Sequence, residues 1–436
     1  MRNEGELTRS LGTGGAVFLG LGSIVGTGIY VSVGIAAGIA GPGVLFAIAI
    51  AALVAACNGL SSAQLAAIHP VSGGTYEYAN RQLNPIFGFS AGWMFLFAKS
   101  ASAATAALGF AGYLLGLFGI VDRLWSVAIA LLLVVLVTAL VAGGIRRSSR
   151  TNVLLVSVAV GVLVFFVVLS LVTPEDLRVG TPFRSIFAAS DIGGLSAVLR
   201  AAAIMFVAYT GYGRVATLGE EVRAPERTIP RAIIVTVSFT MLLYLAVAAA
   251  GIRLVGSEGL AGAVGRGARP LEAAARASGF QAAPLIVAVG ALTALVGVVL
   301  NLILGLSRVV LAMARRGDMP RGLGKVATSA EAANPIRSVL VTGFLVGAIT
   351  LVGNVGLTWT FSAFTVLIYY ALANLSALTV GREGRFVPRA VSLVGLLACL
   401  GLAVFVPLRE LLAGLSVLAV GILWHVVARR LSGGRE

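Results

Sequence analysis

The chain has 436 residues, 58% hydrophobic and 11% charged, and its mean hydropathy of +1.01 excludes an ordinary soluble surface. A formal net charge of +15 would suggest nucleic acid in a soluble protein. Here the arginines lie between apolar runs of membrane-spanning length, so no nucleic-acid partner is expected and the lipid bilayer is. Cys57 and Cys399 both lie inside apolar runs, which excludes a disulfide framework and a metal cluster.

The runs predict an all-α polytopic membrane protein of about twelve transmembrane helices. They begin near Thr13, Gly43, Pro85, Leu124, Thr151, Ile192, Ala232, Ala282, Pro335, Leu357, Ala390 and Glu410. The first is too long for the apolar core of a secretory signal and is followed by many others. With the amino terminus placed in the cytoplasm, most arginines fall on the inner side, among them Arg81, Arg146, Arg147, Arg315, Arg316, Arg385 and Arg430. That bias predicts cytoplasmic amino and carboxyl termini.

The first run continues apolar from Gly20 to Ala40 and stops at Gly41-Pro42-Gly43. Gly26 and Gly28 flank the β-branched Thr27 near its centre, a poor choice for a helix interior. Two readings stay open. The glycines let another helix approach closely, or the helix unwinds there around a polar site at the membrane midplane. The second run ends at His69-Pro70, followed by Val71-Ser72-Gly73-Gly74-Thr75-Tyr76-Glu77-Tyr78, a structured inner connection. The third run is longer than a perpendicular span requires and holds Lys99 among apolar residues. The fifth contains no ionisable residue. A polar outer connection follows, 174–191, and another, 253–281, has a short helix expected near Pro270 to Arg276.

The sixth run reads Met205-Phe206-Val207-Ala208-Tyr209-Thr210-Gly211-Tyr212-Gly213-Arg214. Gly211 and Gly213 bracket one residue just as Gly26 and Gly28 do. Two spans five helices apart, interrupted at similar places, are what an inverted repeat of five plus five would set around a central site, with the last two helices left over. The corresponding divisions are 1–12, a cytoplasmic amino terminus; 13–173, the first repeat; 174–191, the outer connection; 192–380, the second repeat; and 381–436, the last two helices and a short cytoplasmic tail.

Four segments in this order carry a resemblance: Gly26-Thr27-Gly28-Ile29; Pro70-Val71-Ser72-Gly73-Gly74-Thr75-Tyr76; the sixth run with Glu220-Glu221-Val222-Arg223-Ala224-Pro225-Glu226-Arg227-Thr228-Ile229-Pro230; and Ser307-Arg308 with Ala314-Arg315-Arg316-Gly317-Asp318-Met319-Pro320. Together they resemble amino acid permeases of the amino acid, polyamine and organocation transporter family. The resemblance covers nearly the whole chain. It implies the leucine-transporter-type 5+5 inverted repeat with broken helices 1 and 6, alternating-access transport in the cell membrane, and no cofactor. It also implies that the substrate amine meets the carbonyl oxygens of Ile24, Val207 and Thr210. The N–H groups at Thr27 and Gly28 offer a seat for the substrate carboxylate, because an exposed helix amino end is electropositive. Gly26 and Gly211 permit that backbone geometry. Phe206 and Tyr209 are candidates for the pocket or its gate, beside ordinary packing.

Gly88-Phe89-Ser90-Ala91-Gly92 fits a hydrolase pattern, but it starts a spanning helix, and His69 and His425 both fall on the inner face, so an enzyme is not expected. A transporter-like sensor is the alternative function, although no connection is long enough to hold an output module. The acidic residues all fall at run ends or in connections, which favours neutral over dibasic amino acids. Arg214, where relatives often carry an acidic or small residue, is a candidate inner-gate contact. Sodium-independent relatives often carry a lysine on the fifth helix; that place falls at about Ala159, so Lys99 is the remaining buried ammonium and a candidate coupling group, structural or proton-responsive. The expected coupling is proton symport or exchange without sodium.

Overall fold

The computed structural model describes residues 12–69, 73–144, 149–178, 194–216, 222, 224–325, 327–329, 332–382 and 384–432. Among these residues sixteen α-helices follow one another in chain order. The first eight are α1 (Thr13–Ile24), α2 (Val33–Ala40), α3 (Val44–Ile68), α4 (Thr75–Gln82), α5 (Pro85–Leu117), α6 (Arg123–Ala142), α7 (Ser149–Val172) and α8 (Leu195–Tyr209). The rest are α9 (Gly213–Ala216), α10 (Pro225–Gly265), α11 (Pro270–Ala277), α12 (Ala283–Arg315), α13 (Ile336–Thr350), α14 (Val355–Leu378), α15 (Arg389–Val404) and α16 (Leu408–Ser432). Ala327–Ser329 and Ala332–Asn334 pair as a small antiparallel hairpin between α12 and α13. Among the described residues nine helical stretches are long and apolar enough to cross a membrane, and α1, α13 and α15 are apolar but shorter. This is an integral membrane protein.

Helix starts follow local chemistry. Asn84 accepts from the N–H groups of Ile86 and Phe87 at 2.9 and 3.0 Å with Pro85 next to it; Asp122 and Asn354 cap α6 and α14 in the same way. Two expectations about α10 need correction. It begins at Pro225, not near Ala232, because Pro225 takes the first helical position, where a missing N–H costs nothing. It also continues to Gly265 through a kink at Gly256 (φ 72°), so much of the connection expected over 253–281 is helix. The short helix expected within it is α11.

Burial separates centre from periphery. The most apolar stretches of α5 and α14 are 78% and 72% buried, against 33% for α6 and α7 and 17% for α16. The outer helices display leucine, valine and phenylalanine, as lipid contact requires. α5 packs along α14 and α12, while α8 and α10 pack against α2 and α3.

Charged groups are paired at the two ends of the bundle. At the α4 end, Glu77 accepts from Arg81 at 2.6 Å and Arg316 at 2.5 Å. Tyr76 donates to Asp318 at 2.7 Å, and Asp318 also meets Nδ1 of His425 at 3.1 Å, so α4, the segment after α12 and α16 are fastened together. Burial and the Asp318 carboxylate raise the Tyr76 phenol well above its usual range, so it stays a donor. At the α11 end, Glu272 pairs with Arg269 at 3.0 Å and Arg276 at 2.5 Å.

Candidate functional site

Helix α1 stops at Ile24, Val25 turns to extended geometry (φ −72°, ψ 108°), and a π-helical turn over Gly28–Ser32 leads into α2. The restart is anchored on the Gly26 carbonyl, which accepts from the N–H groups of Ile29 and Tyr30, both at 3.1 Å. The N–H groups of Gly26, Thr27 and Gly28 thus stand ahead of the first intrahelical bond. Helix α8 stops at Tyr209, passes through a tight 3₁₀ turn over Thr210–Tyr212, and resumes as α9.

The two interruptions cross each other. A Cβ at Gly28 would overlap the side chain of Ala208 and lie 2.7 Å from its Cα, and one at Gly211 would overlap the Ser23 carbonyl and lie 2.7 Å from the Ile24 nitrogen. A Cβ at Gly26 would overlap Val298 of α12. These glycines therefore let the neighbouring helix approach closely at the place where the helix is interrupted.

Each of the three carbonyls singled out in the sequence already accepts a bond from the chain itself. Tyr244 of α10 donates to Ile24 O at 2.9 Å, the Thr210 hydroxyl to Val207 O at 2.7 Å, and Tyr370 of α14 to Thr210 O at 3.1 Å. Lys99 reaches across from α5 and donates to Thr210 Oγ1 at 2.6 Å. Asn301 of α12 donates to Gly22 O and Asn152 of α7 to Phe18 O, both at 3.2 Å. Thr27 Oγ1 and the Tyr209 hydroxyl are buried at the crossing with no hydrogen-bond partner among the described residues. Phe206 is buried edge-on against Tyr370, with ring centroids 5.7 Å apart, and Tyr209 lies 5.4 Å from Tyr244.

Ile24, Gly26, Thr27, Gly28, Phe206, Val207, Tyr209, Thr210, Gly211 and Lys99 are thus gathered at one crossing. The side chain of Arg214 lies outside the described residues. Tyr244, Tyr370 and Asn301 were not singled out from the sequence. The usable signal was their polarity: a phenol or amide within an apolar run must find a partner. On the α11 side Tyr30 and Tyr113 cover the crossing, Tyr113 donating to Tyr30 O at 2.7 Å and Tyr30 to Ala159 O at 2.9 Å.

A small cleft of about 10 Å³, near the size of one water, lies between α1, α7 and α12. It is lined by Gly22, Val25, Leu155, Val156, Ala159, Thr293, Ala294 and Gly297, of which Thr293 alone brings a side-chain oxygen. That hydroxyl donates to Val289 O at 2.8 Å.

The family model for amino acid permeases matches residues 15–430. The chain belongs to the amino acid permease family. This permease is 40% identical over 431 residues to an uncharacterized transporter of Mycobacterium tuberculosis, spanning 97% of this chain and 92% of that one. It is 26% identical to a methylthioribose transporter of Bacillus subtilis, with 83% and 80% of the two chains covered. It is also 26% identical to a branched-chain amino acid permease of the same organism, with 74% and 70% covered.

Proposed function

We propose that this permease moves neutral amino acids across the cell membrane by alternating access, as a sodium-independent secondary transporter with twelve spans, the 5+5 inverted repeat and the divisions set out above, and both termini cytoplasmic. One observation carries the reading: two interrupted helices cross at their interruptions, presenting unbonded N–H groups from one and carbonyl oxygens from both. The substrate carboxylate seats on the N–H groups of Gly26, Thr27 and Gly28. The ammonium takes the second lone pairs of Ile24, Val207 and Thr210, since a carbonyl that accepts one bond can accept another. Thr27 and Tyr209 hold buried hydroxyls at the same place.

Charge supports the neutral class. Among the described residues the buried carboxylates Glu77, Glu272, Asp318 and Glu410 lie in or beside helix ends, and the basic side chain at the crossing is Lys99. Beyond the α-ammonium that every amino acid brings, a dibasic substrate would add a further cation where no side-chain carboxylate among the described residues stands to offset it. The compounds named for two relatives, branched-chain amino acids and methylthioribose, likewise carry no side-chain cation. In the cleft between α1, α7 and α12 Thr293 brings the one side-chain oxygen, so a hard cation there would have to be held largely by backbone carbonyls, and ion replacement is the test of sodium independence.

Purified protein in proteoliposomes is expected to accumulate labelled leucine, alanine or serine equally with sodium or choline outside. Arginine should compete at least about ten-fold more weakly, the order expected for an unpaired charge. Stronger displacement by arginine rejects the neutral class. Binding without flux makes the protein a sensor.

A further inference from the structure

The connection between α14 and α15 is held in one shape by a buried amide. Gln64, near the end of α3, donates to Gly384 O at 2.6 Å and accepts from the N–H groups of Phe386 and Val387 at 2.8 and 2.9 Å. Arg385 turns back to donate to the carbonyls of Leu378 and Val380, where the end of α14 leaves carbonyls without intrahelical donors. The same segment holds Arg382 and Arg389, both exposed, against one carboxylate, Glu383, which lies outside the described residues. None of the three arginines has an ion pair among the described residues. Partial burial, and then the charges of Arg389 and Arg382, press the Arg385 pKa below its ordinary value. The three cations thus converge closely enough to repel one another.

An apolar surface begins directly beyond them. Leu393, Leu397 and Leu400 are exposed and follow Arg389 at helical spacing, so they continue the face of α15 that Arg389 starts. Phe386 adds an exposed ring beside it. A cluster of cations at the polar end of a lipid-facing stripe matches a molecule with an anionic phosphate at one end and acyl chains at the other. We propose that Arg382, Arg385 and Arg389 bind the headgroup of an anionic phospholipid whose chains lie along α15. A zwitterionic headgroup brings its own cation and relieves the repulsion less, and a free phosphate has no use for the leucine stripe. Gln64 is a positioning residue, since it fixes the connection that carries the arginines. The inference rests on the membrane setting and not on the transport reading. It places the lipid at the end of α14, the helix whose Tyr370 donates to Thr210 O at the crossing.

Native mass spectrometry of the full chain in detergent, titrated with phosphatidylglycerol or phosphatidylcholine of identical acyl chains, reads both lipid affinities. Wild type should prefer phosphatidylglycerol by at least about ten-fold, and the preference should fall by about five-fold for each arginine removed in Arg382→Gln and Arg389→Gln. The pair Arg321→Gln and Arg337→Gln removes as much charge from exposed arginines elsewhere and should leave the preference unchanged. Gln64→Leu keeps every charge, yet should lower the preference by at least about three-fold as the connection loses its hydrogen bonds. Equal affinity of wild type for the two lipids, equal losses in the two arginine pairs, or an unchanged preference in Gln64→Leu overturns the proposal. Glycerol phosphate in about ten-fold excess should fail to displace the lipid, because the chains supply much of the affinity. Displacement by it would mean a soluble-anion site and reject the lipid. Wild type alone gives a second readout that no variant can confound. In nanodiscs, amides of 384–391 should exchange at least about three-fold more slowly with phosphatidylglycerol present than in phosphatidylcholine alone, and equal rates overturn the proposal.

Discussion

The interruption after α1 is tied by neutral donors that come from α10 and α12, Tyr244 on Ile24 O and Asn301 on Gly22 O. The interruption after α8 is tied from α14 and α5, by Tyr370 on Thr210 O and by Lys99 through the Thr210 hydroxyl. They also differ in shape. The first opens to an extended residue and restarts as a wide π-helical turn, whereas the second tightens into a 3₁₀ turn and scarcely leaves the helix path. Opposite backbone solutions leave the same orphan groups, and each set is met by different neighbours. The backbones of the two breaks come close at Gly28 and Gly211, where a Cβ would overlap the facing segment.

The largest effect on this arrangement should come from Gly211→Ala. Its Cβ meets the Ser23 carbonyl and the Ile24 nitrogen, which are backbone atoms that cannot swing aside, and overpacking of this kind costs about 1–3 kcal/mol. Transport should fall by more than about ten-fold with a lower melting temperature. Gly305→Ala, where nothing stands within 4 Å, should change neither. Equal behaviour of the two variants would show that the crossing tolerates separation.

A moderate effect should distinguish the two sets of ties. Tyr244→Phe should raise hydrogen exchange around Ile24 and Tyr370→Phe around Thr210, each by about two- to ten-fold, as loss of a neutral hydrogen bond implies. If each substitution loosens both breaks alike, the supports are not separate.

The smallest effect concerns α4, remote from both breaks. Burial and the neighbouring Arg81 lower the His69 pKa below its ordinary value, with Glu77 opposing. A lowered folded pKa means that the unfolded chain binds the proton more readily. The contribution to stability is therefore complete above the ordinary histidine value of about 6.5 and is lost as pH falls through the lowered one. Amide protection across Thr75–Gln82 should accordingly be weaker at about pH 5 than at about pH 7.5. His69→Gln should reduce that difference while protection at the two interruptions stays unchanged.

The sequence by itself determined the membrane class, the run of helices and where most of them start, because apolar length, proline, glycine and capping side chains act within a few residues of the feature they specify. It marked both interruptions for the same reason: glycines around Thr27 and Tyr212 weaken the helix locally. What only the tertiary structure decided is which donor meets which orphan carbonyl. Tyr244 and Ile24 are 220 positions apart, Asn301 and Gly22 279, Tyr370 and Thr210 160, and Lys99 and Thr210 111. No local pattern encodes such pairings. Lys99 stood out in the sequence as a cation that needed a partner. Its partner proved to be a hydroxyl on an interrupted helix, a choice set by how far the Lys99 side chain reaches from α5 to the turn after α8.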